Sequence, residues 1–544
     1  FIPAATSLQE RRPRTLKRGD SLGVFDPNGD AVAGPDSPEG LYHRDTRHLS
    51  HFLVMLDSQR PMLLSSTLRD DNAMLTCDLT NPDLYDTMGR LALEHDMVHL
   101  RRMRFLWQGA CHERLGVRHF GSSPQRLRLG VSFAADFADL FEVRGTRRER
   151  HGVRHAGSVN GNTVTLGYTG LDGLTRRTVL CFATPPAKLT VDGALFDLVL
   201  QPGETRHIDL TIDCAADENA PDQTRPGFLQ ALRRSRRTLR TSAARAAAIS
   251  SSSTTFNEAV RRSISDLYML VTDTQDGPYP YAGIPWFSTV FGRDALITAM
   301  QTLWLDPAIA RGVLRHLARH QAETTDEAAD AEPGKILHEM RQGEMALLGE
   351  VPFRHYYGSV DSTPLFVMLA GAYLERTDDA ETVRRLWPNI LAALTWMDES
   401  GDRDGDGFIE YGRRRDTGLI NQGWKDSHDS IFHADGTLAQ GPVALVEVQA
   451  YAFGAWQAAA ALARRLGDDE AADRYGERAN RLQQRFDEAF FDKALGTYVL
   501  ALDGDKRPCR VRASNAGHAL FSGIARPERA QAVVAAGCDL ALHC

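Results

Sequence analysis

The chain has 544 residues, more than a single compact core accommodates, so two or three domains are expected. Hydrophobic residues make up 42% of it and charged residues 25%, which is the composition of an ordinary globular protein. The formal net charge is −8. This acidic balance argues against nucleic acid as a partner, because phosphate binding usually requires a basic surface.

The 7 cysteines are scattered and form no C-x-x-C pair. The sequence therefore predicts neither a disulfide framework nor a zinc site, and it indicates a reducing compartment. The start, Phe1 to Thr6, lacks the basic-then-apolar pattern of a signal peptide. No apolar run approaches the ~18 residues that cross a bilayer. We therefore expect a cytoplasmic protein without a membrane partner, unless a trimmed start has removed a leader.

Short alternating runs predict a β-rich domain over residues 1–215. Examples are Phe52-Val54-Leu56 and Leu127-Leu129-Val131, and Gly, Asp, Asn and Pro separate such runs. The stretch Lys188–Phe196 predicts a hairpin with an Asp-Gly turn. This spacing favours an antiparallel β-sandwich.

Residues 216–253 are expected to form a linker followed by a linker helix at Phe228–Ile249. Residues 254–544 are expected to be helical, because apolar residues recur there at helical spacing. The predicted helices are Phe256–Val271, Arg293–Leu305, Ala308–Gln321, Ser362–Leu374, Ala380–Met397, Gly441–Leu466, Glu470–Phe490, Ala513–Phe521 and Arg526–Ala536. Alternating short and long loops favour a toroid of helical hairpins whose long loops gather at one end and form a pocket.

The densest polar cluster is the loop Asn421–Ser430 before the Gly441 helix. Asp426 is a candidate acid, since a carboxyl that protonates a leaving oxygen needs its pKa raised by an apolar wall or another carboxylate. Trp424 offers such a wall and a face for a sugar. Lys425 is a candidate substrate contact, although an inward ammonium would oppose the pKa increase. The alternative is a polar loop in which Trp424 plugs the core.

A second cluster runs from Gly283 to Asp294 and includes Trp286 and Phe287. Arg293 and Asp294 place a fork-shaped donor beside an acceptor at a helix start, which suits vicinal sugar hydroxyls. The alternative is that Asp294 only interacts with the helix dipole.

Two further loops contain candidate substrate contacts. In Arg354–Pro364 these are Tyr357 and Asp361, and the alternative for Asp361 is a simple N-cap. In Lys335–Glu344 they are His338 and Glu339, and a surface ion-pair network is the alternative.

The loop Asp402–Glu410 begins like an EF-hand, but position 12 would be Arg413 rather than Glu. We expect a turn and no metal there, with calcium left as an open alternative. Glu447 lies within an apolar segment, where a buried carboxylate needs a reason. It is expected either to hold sugar hydroxyls or orient Arg293, or to bond to a neighbouring helix.

With these clusters in this order, the chain resembles the bacterial glycogen-debranching-type, amylo-α-1,6-glucosidase-like proteins. The N-terminal likeness is carried by Gly19–Asp30, Gly40–Ser50 and Asp136–Gly145. The C-terminal part looks like the (α/α)6 barrel that trehalases, glucoamylases and processing glucosidases share. The resemblance implies a β-sandwich followed by this toroid.

The resemblance also implies roles for individual residues. Asp426 corresponds to the general acid, while Arg293, Asp294 and Asp361 match positions that hold the terminal sugar. The aromatic residues that would line the pocket are Trp286, Phe287 and Trp424. Members of the family invert the anomeric carbon, with two carboxyls ~6.5–9.5 Å apart.

The implied activity is hydrolysis of α-1,6-linked glucose at branch stubs of an oligo- or polysaccharide, with no cofactor. The alternatives are hydrolysis of a small trehalose- or glucosylglycerate-like glycoside, and carbohydrate binding without catalysis. The helices placed after Phe256 are fewer than a six-hairpin toroid contains, and the family's general base lies in the last part of the barrel. We therefore expect a truncated product that ends at Cys544 without its base.

Overall fold

The computed structural model describes residues 13–34, 37–86, 88–214, 226–415 and 418–543. The predicted start of the linker, residues 216–225, lies outside the described residues. Contacts divide the chain into two compact units. The first contains residues 1–272, 282–289 and 341–350, and the second contains residues 273–281, 290–340 and 351–544.

The first unit is built mainly from antiparallel sheets. Its strands are β1 Arg14–Arg18, β2 Ser21–Phe25, β3 Ala31–Val32, β4 Gly40–His43, β5 Thr46–Leu49, β6 His51–Leu56, β7 Met62–Leu68, β8 Leu75–Thr80, β9 Leu84–Tyr85, β10 Leu91–Leu93, β11 Val98–Trp107, β12 Ala110–His119, β13 Gln125–Ala134, β14 Val153–Asn160, β15 Thr163–Thr169, β16 Thr175–Phe182, β17 Lys188–Leu189, β18 Gly193–Leu200 and β19 Thr205–Asp213.

Two large sheets enclose the apolar core of this unit. One has eight strands in the order β14-β15-β16-β19-β12-β11-β8-β7, and the other has five in the order β17-β18-β13-β6-β3. Strand β6 shows why they pack: Phe52, Val54 and Leu56 alternate to one face and are buried. The predicted hairpin is present as β17 and β18, and Thr190 donates its backbone N–H to the carbonyl of Gly193.

The described residues of the first unit also form the helices α1 Leu140–Val143, α2 Phe228–Ala243, α3 Thr254–Leu270 and α6 Glu344–Leu347. Helix α2 is the predicted linker helix. It buries Phe228, Ala231 and Leu232 in a cluster with Phe105 and Trp107 of the sheet. The last residue that the helix buries is Ser235, and the helix ends at Ala243, before the predicted Ile249.

The second unit is helical. Its helices are α4 Gly292–Gln301, α5 Pro307–Arg319, α7 Ser362–Thr377, α8 Ala380–Asp398, α9 Val446–Leu466, α10 Asp469–Phe490, α11 Gly517–Ser522 and α12 Pro527–His543. The short strands of the helical half are β20 Val271–Thr274, β21 Gly277–Pro280, β22 Val290–Phe291, β23 Glu339–Met340, β24 Ala444–Leu445, β25 Phe491–Asp492, β26 Thr497–Tyr498 and β27 Ala501–Leu502. Helix α9 is largely buried and packs against α7 and α10.

Helix α9 begins at Val446 and not at the predicted Gly441. The preceding residues are extended, because Val443 bridges to Tyr411 and β24 pairs with β27. This extended entry brings Glu447 into the first turn of α9. None of the helices in the described ranges combines the length and apolarity that a bilayer crossing requires.

Candidate active site

Arg293 joins three segments of the second unit. It stands in the first turn of α4 and is almost fully buried. Its Nη1 donates to Oδ2 of Asp361 at 3.1 Å and to the carbonyl of Gly423 at 2.6 Å, while Nη2 donates to Oδ2 of Asp426 at 3.0 Å. Burial opposes the charge of Arg293, but Asp361, Asp294 and Asp426 outweigh it and raise its pKa. The guanidinium therefore stays cationic and fixes two carboxylates at once.

Asp361 is fully buried at the start of α7. Asp361 occupies the N-cap position of α7, but its side chain makes no capping hydrogen bond to the helix. Instead, Asp361 accepts from Arg293 and from the hydroxyl of Ser359 at 2.6 Å. Asp294 lies one residue after Arg293, and burial raises its pKa despite the neighbouring guanidinium. These two carboxylates form the acidic wall of the site.

Asp426 is the accessible carboxylate of the group, with 46% of its side chain exposed. Two hydrogen bonds, made by the side chains of Tyr411 and Asn421, fix the loop that contains Asp426. Tyr411 donates its hydroxyl to Oδ1 of Asn421 at 2.7 Å, and Nδ2 of Asn421 donates to the carbonyl of Ser427 at 2.6 Å. The loop backbone therefore has a defined position while the Asp426 side chain faces solvent.

Glu447 is fully buried, and among the described residues neither of its carboxyl oxygens has a hydrogen-bond partner. Burial raises its pKa to about 7; Asp361 adds to the increase, while Asn515 and Lys425 oppose it. A Cβ atom at Gly423 would lie 3.4 Å from Oε1 of Glu447 and 2.2 Å from Cδ1 of Leu445. The close contact is with the Leu445 side chain, which would have to shift to admit a Cβ atom at position 423.

Three residues outside the predicted set belong to the same site. Tyr451, one helical turn after Glu447, has its hydroxyl 2.7 Å from Nδ1 of His518. The His518 ring stands edge-on to Trp424, with centroids 5.1 Å apart. Asn515 is fully buried, and its side chain lowers the pKa of Glu447. The sequence signal for this group was helical spacing from Glu447 and between Asn515 and His518.

Trp424 and Lys425 immediately precede Asp426 in the loop. The Lys425 ammonium lies 5.5 Å from the centre of the Trp424 ring, and burial lowers its pKa while Glu447 raises it. Trp424 is 40% exposed, so it does not plug the core as the alternative held. The pair offers an aromatic face and a cation beside Asp426.

His338, Glu339 and Tyr357 bond to neighbouring segments of the second unit. The carbonyl of His338 accepts from the N–H of Gly292 at 2.8 Å, and Glu339 pairs with Phe291 through β23 and β22. Burial, and next the charge of Arg293, lower the pKa of His338 well below its usual value. Tyr357 donates its hydroxyl to the carbonyl of His320 at 2.7 Å. These backbone and hydroxyl bonds support α4 and the neighbouring loops.

Trp286 and Phe287 belong to the first unit by their contacts. Trp286 packs on a cluster that contains Tyr42 and Leu140. The guanidinium of Arg144 lies 5.9 Å from the Trp286 ring and 5.8 Å from the Phe287 ring. Their predicted role as pocket walls therefore stays a proposal, and the site described here is made of second-unit residues.

The carboxylates of the EF-hand-like loop Asp402–Glu410 pair with a lysine side chain. Asp402, Asp404 and Asp406 bring ligand oxygens within 4.8 Å of one another. The Lys506 ammonium lies 2.9 Å from Asp404 and 2.6 Å from Asp406, and it also contacts Glu410. Burial works against this charge, but the three carboxylates raise the pKa of Lys506. The ammonium lies among the oxygens that would otherwise face a metal ion.

Two family models match the chain. The N-terminal domain of some glycogen debranching enzymes matches residues 16–211, and the mannosylglycerate hydrolase MGH1-like glycoside hydrolase domain matches residues 290–540. The chain therefore joins a debranching-enzyme N-terminal domain to a glycoside hydrolase domain. The resemblance predicted from the sequence is confirmed for both parts. No curated protein matches the chain significantly.

Solved structures show the same fold at low sequence identity. A putative kojibiose phosphorylase from human microbiome has a TM-score of 0.54 and 10% identity, over 90% of this chain and 69% of that chain. A bacterial glucoamylase complexed with acarbose has a TM-score of 0.50 and 12% identity, over 87% of this chain and 66% of that chain. The predicted fold, a β-rich domain followed by a helical domain of the (α/α)6 class, is confirmed.

The glycoside hydrolase domain contains the whole carboxylate cluster. Arg293, Asp361, Asp426 and Glu447 all lie within its matched residues 290–540, whereas Trp286 and Phe287 precede them. A domain of this kind implies a carbohydrate substrate.

Proposed function

We propose that the chain is an inverting glycoside hydrolase that acts on α-1,6-linked glucose at the branch stubs of glycogen or a related α-glucan. The observation that carries the proposal is the single guanidinium of Arg293, which holds buried Asp361 and accessible Asp426 together beside Glu447. Acidic acceptors around a fixed donor suit the vicinal hydroxyls of a neutral sugar.

Asp426 is the proposed proton donor. In an inverting reaction, an acid protonates the glycosidic oxygen while the bond from that oxygen to the anomeric carbon breaks. Water adds to that carbon from the opposite face and loses a proton to a base. Asp426 suits the donor role because it is the exposed carboxylate of the cluster. The hydrogen bond between Asp426 and Arg293 must then break when the substrate binds. Hydrogen bonds in active sites commonly rearrange at that step. We assign no general base among the described carboxylates.

Substrate contacts follow from the same arrangement. Arg293, Asp361 and Asp294 are proposed to hold the terminal sugar, and Trp424 offers an apolar face to its C–H surface. Lys425 and Glu447 complete the proposed pocket, with His338, Glu339 and Tyr357 contributing at its edge. A cytoplasmic location remains part of this proposal; the described cysteines Cys77, Cys111, Cys181, Cys214 and Cys509 are all free.

A small glycoside is the second candidate substrate. It is favoured by the match of residues 290–540 to a mannosylglycerate hydrolase-like domain. Lys425 beside Asp426 would suit an anionic leaving group such as a glycerate. A branch stub carries no such charge, so only the glycerate would form an ion pair with the ammonium of Lys425.

The test is sugar release from a panel of glycogen limit dextrin, isomaltose, trehalose and glucosylglycerate. Asp426→Asn should lower kcat on the accepted substrate by about 10²–10⁴-fold, the usual contribution of general acid catalysis. Asp429→Asn, an exposed carboxylate of the same loop, is the matched control and should leave the rate unchanged. Equal turnover by the wild type and Asp426→Asn would refute the assignment, and release from glucosylglycerate alone would select the second candidate.

A further inference from the structure

Helix α2 of the first unit, Phe228–Ala243, is strongly basic in an acidic protein. Residues 226–257 contain no Asp or Glu, although the formal net charge of the chain is −8. The same stretch contains the arginines Arg233, Arg234, Arg236, Arg237, Arg240 and Arg245. The glycoside hydrolase chemistry proposed above makes no use of this concentration of positive charge.

Four of these arginines share one face of the helix. Arg233, Arg236, Arg237 and Arg240 follow the i, i+3, i+4, i+7 spacing that aligns side chains along one face. Together with Thr241 and Ala244 they line a surface groove of about 630 Å³. With a rise of 1.5 Å per residue, the row from Arg233 to Arg240 extends about 10 Å along the helix.

The positive charges of this row act on one another, and Arg69 adds to them. Among the residues that the structure describes, none of the four arginines has an ion-pair partner, and the buried Nε of Arg236 has no hydrogen-bond acceptor. Burial lowers the pKa of Arg236, and Arg69 and Arg240 lower it further while Asp71 opposes them. Asp71 is itself 3.5 Å from Arg69. An anion in the groove would relieve this repulsion and satisfy the buried donor.

We propose that the α2 groove binds a linear oligophosphate, either inorganic or as the phosphate chain of a nucleotide. Guanidinium forks bind phosphate oxygens in pairs, which gives arginine its preference for this chemistry. A single phosphate engages one or two forks, whereas a row of four over about 10 Å fits several consecutive phosphates. A neutral sugar would leave the charges unpaired, so the ligand differs from the substrate of the hydrolase domain.

The binding test is calorimetric titration of the full chain with inorganic tripolyphosphate. Saturable 1:1 binding is expected, with orthophosphate at least tenfold weaker. Arg236→Gln/Arg240→Gln should weaken tripolyphosphate binding at least tenfold. The matched control is Arg384→Gln/Arg385→Gln, which removes two exposed arginines of α8 that already pair with Glu381 and should bind as the wild type does.

Arg233→Gln/Arg237→Gln provides a second variant in case the first does not fold, and it should show the same loss. ATP tests the source of the phosphates: tighter binding than tripolyphosphate indicates a nucleotide, and equal binding indicates the phosphate chain alone. The proposal is overturned if tripolyphosphate does not bind, if both folded groove variants bind it like the wild type, or if an RNA oligonucleotide binds and tripolyphosphate does not. Sugar release does not enter the readout, so the outcome is independent of the proposed function.

Discussion

Nη2 of Arg293 lies 3.0 Å from Oδ2 of Asp426, so the proposed proton donor is ion-paired to the residue proposed to hold the sugar. The same guanidinium also reaches Asp361 and the carbonyl of Gly423. A substrate hydroxyl that takes over one of these bonds changes the surroundings of the carboxyl that must give up a proton. Binding and proton donation are therefore coupled through one side chain.

Replacement of this fork by a point charge tests the coupling. Arg293→Lys keeps the positive charge but cannot bond to all three acceptors at once. We expect kcat/KM to fall at least about 100-fold, equivalent to about 2.7 kcal/mol of transition-state stabilisation. Arg319→Lys is the control, because Arg319 pairs with Asp276 of the same unit at 2.6 Å but is half exposed. A rate for Arg293→Lys close to that of Arg319→Lys would contradict the proposed role.

Glu447 should make stability depend on pH. Its pKa is raised from 4.5 to about 7 in the folded protein, so between these values the folded state binds more protons than the unfolded state. The free energy of unfolding should therefore fall as pH rises from about 4.5 to 7, by about 3 kcal/mol. Below pH 4.5 both states are protonated and this penalty vanishes.

The measurement is the thermal unfolding of wild type and Glu447→Gln at pH 5 and pH 8. The variant lacks the buried charge, so its melting temperature should decrease less between the two pH values. Asp429→Asn, whose carboxylate is exposed, should follow the wild type. Parallel curves for Glu447→Gln and the wild type would show that Glu447 is not the source of the dependence.

Tyr411 is expected to position the loop that contains Asp426. Tyr411→Phe removes the hydroxyl that orients Asn421, and Asn421 then loses its orientation toward Ser427. We expect a loss of about 1 kcal/mol in stability, faster hydrogen exchange in residues 421–430 and a lower kcat with little change in KM. Tyr498→Phe removes a buried hydroxyl that bonds to Asp487 and should leave exchange in that loop unchanged. Unaltered kcat in Tyr411→Phe would refute the positioning role.

Because of Lys506, the stability of the Asp402–Glu410 loop should not depend on calcium. The substitution Lys506→Met removes the ammonium that contacts Asp404, Asp406 and Glu410. We expect this to lower the free energy of unfolding by about 1–3 kcal/mol. Added calcium should raise the melting temperature of this variant but not that of the wild type, and a chelator should leave the wild type unchanged. Lys493→Met, at an exposed lysine, is the control. Stabilisation of the wild type by calcium would show that the ion displaces the ammonium.

Helices were predictable where apolar spacing is regular. The predicted ranges for α5, α7, α8 and α10 agree with the structure within about three residues. The start of α9 was not predictable, because the extended residues before it pair with β27, which lies more than fifty residues later. Spacing along the chain does not show a pairing between such distant segments.

The site was predictable in part. Arg293 stood out at a predicted helix start, and Asp361 and Asp426 stood out in long loops. The structure brings Arg293 within hydrogen-bonding distance of both. Asn515 and His518 did not stand out, since their place beside Glu447 and Trp424 depends on tertiary packing. The need for glycine at position 423 likewise depends on the atoms of Leu445 that approach it.

The path of the chain between its two compact units bears on how such a protein can evolve. Residues 282–289 and 341–350 belong to the first unit although they lie within the helical half of the sequence, so the chain passes from one unit to the other five times. A recombination event with a single crossover would inherit the sheet domain from one parent and these two embedded segments from the other. Viable chimeras therefore require both segments to come from the parent that supplies the sheets, and selection acts on all three pieces as one heritable block.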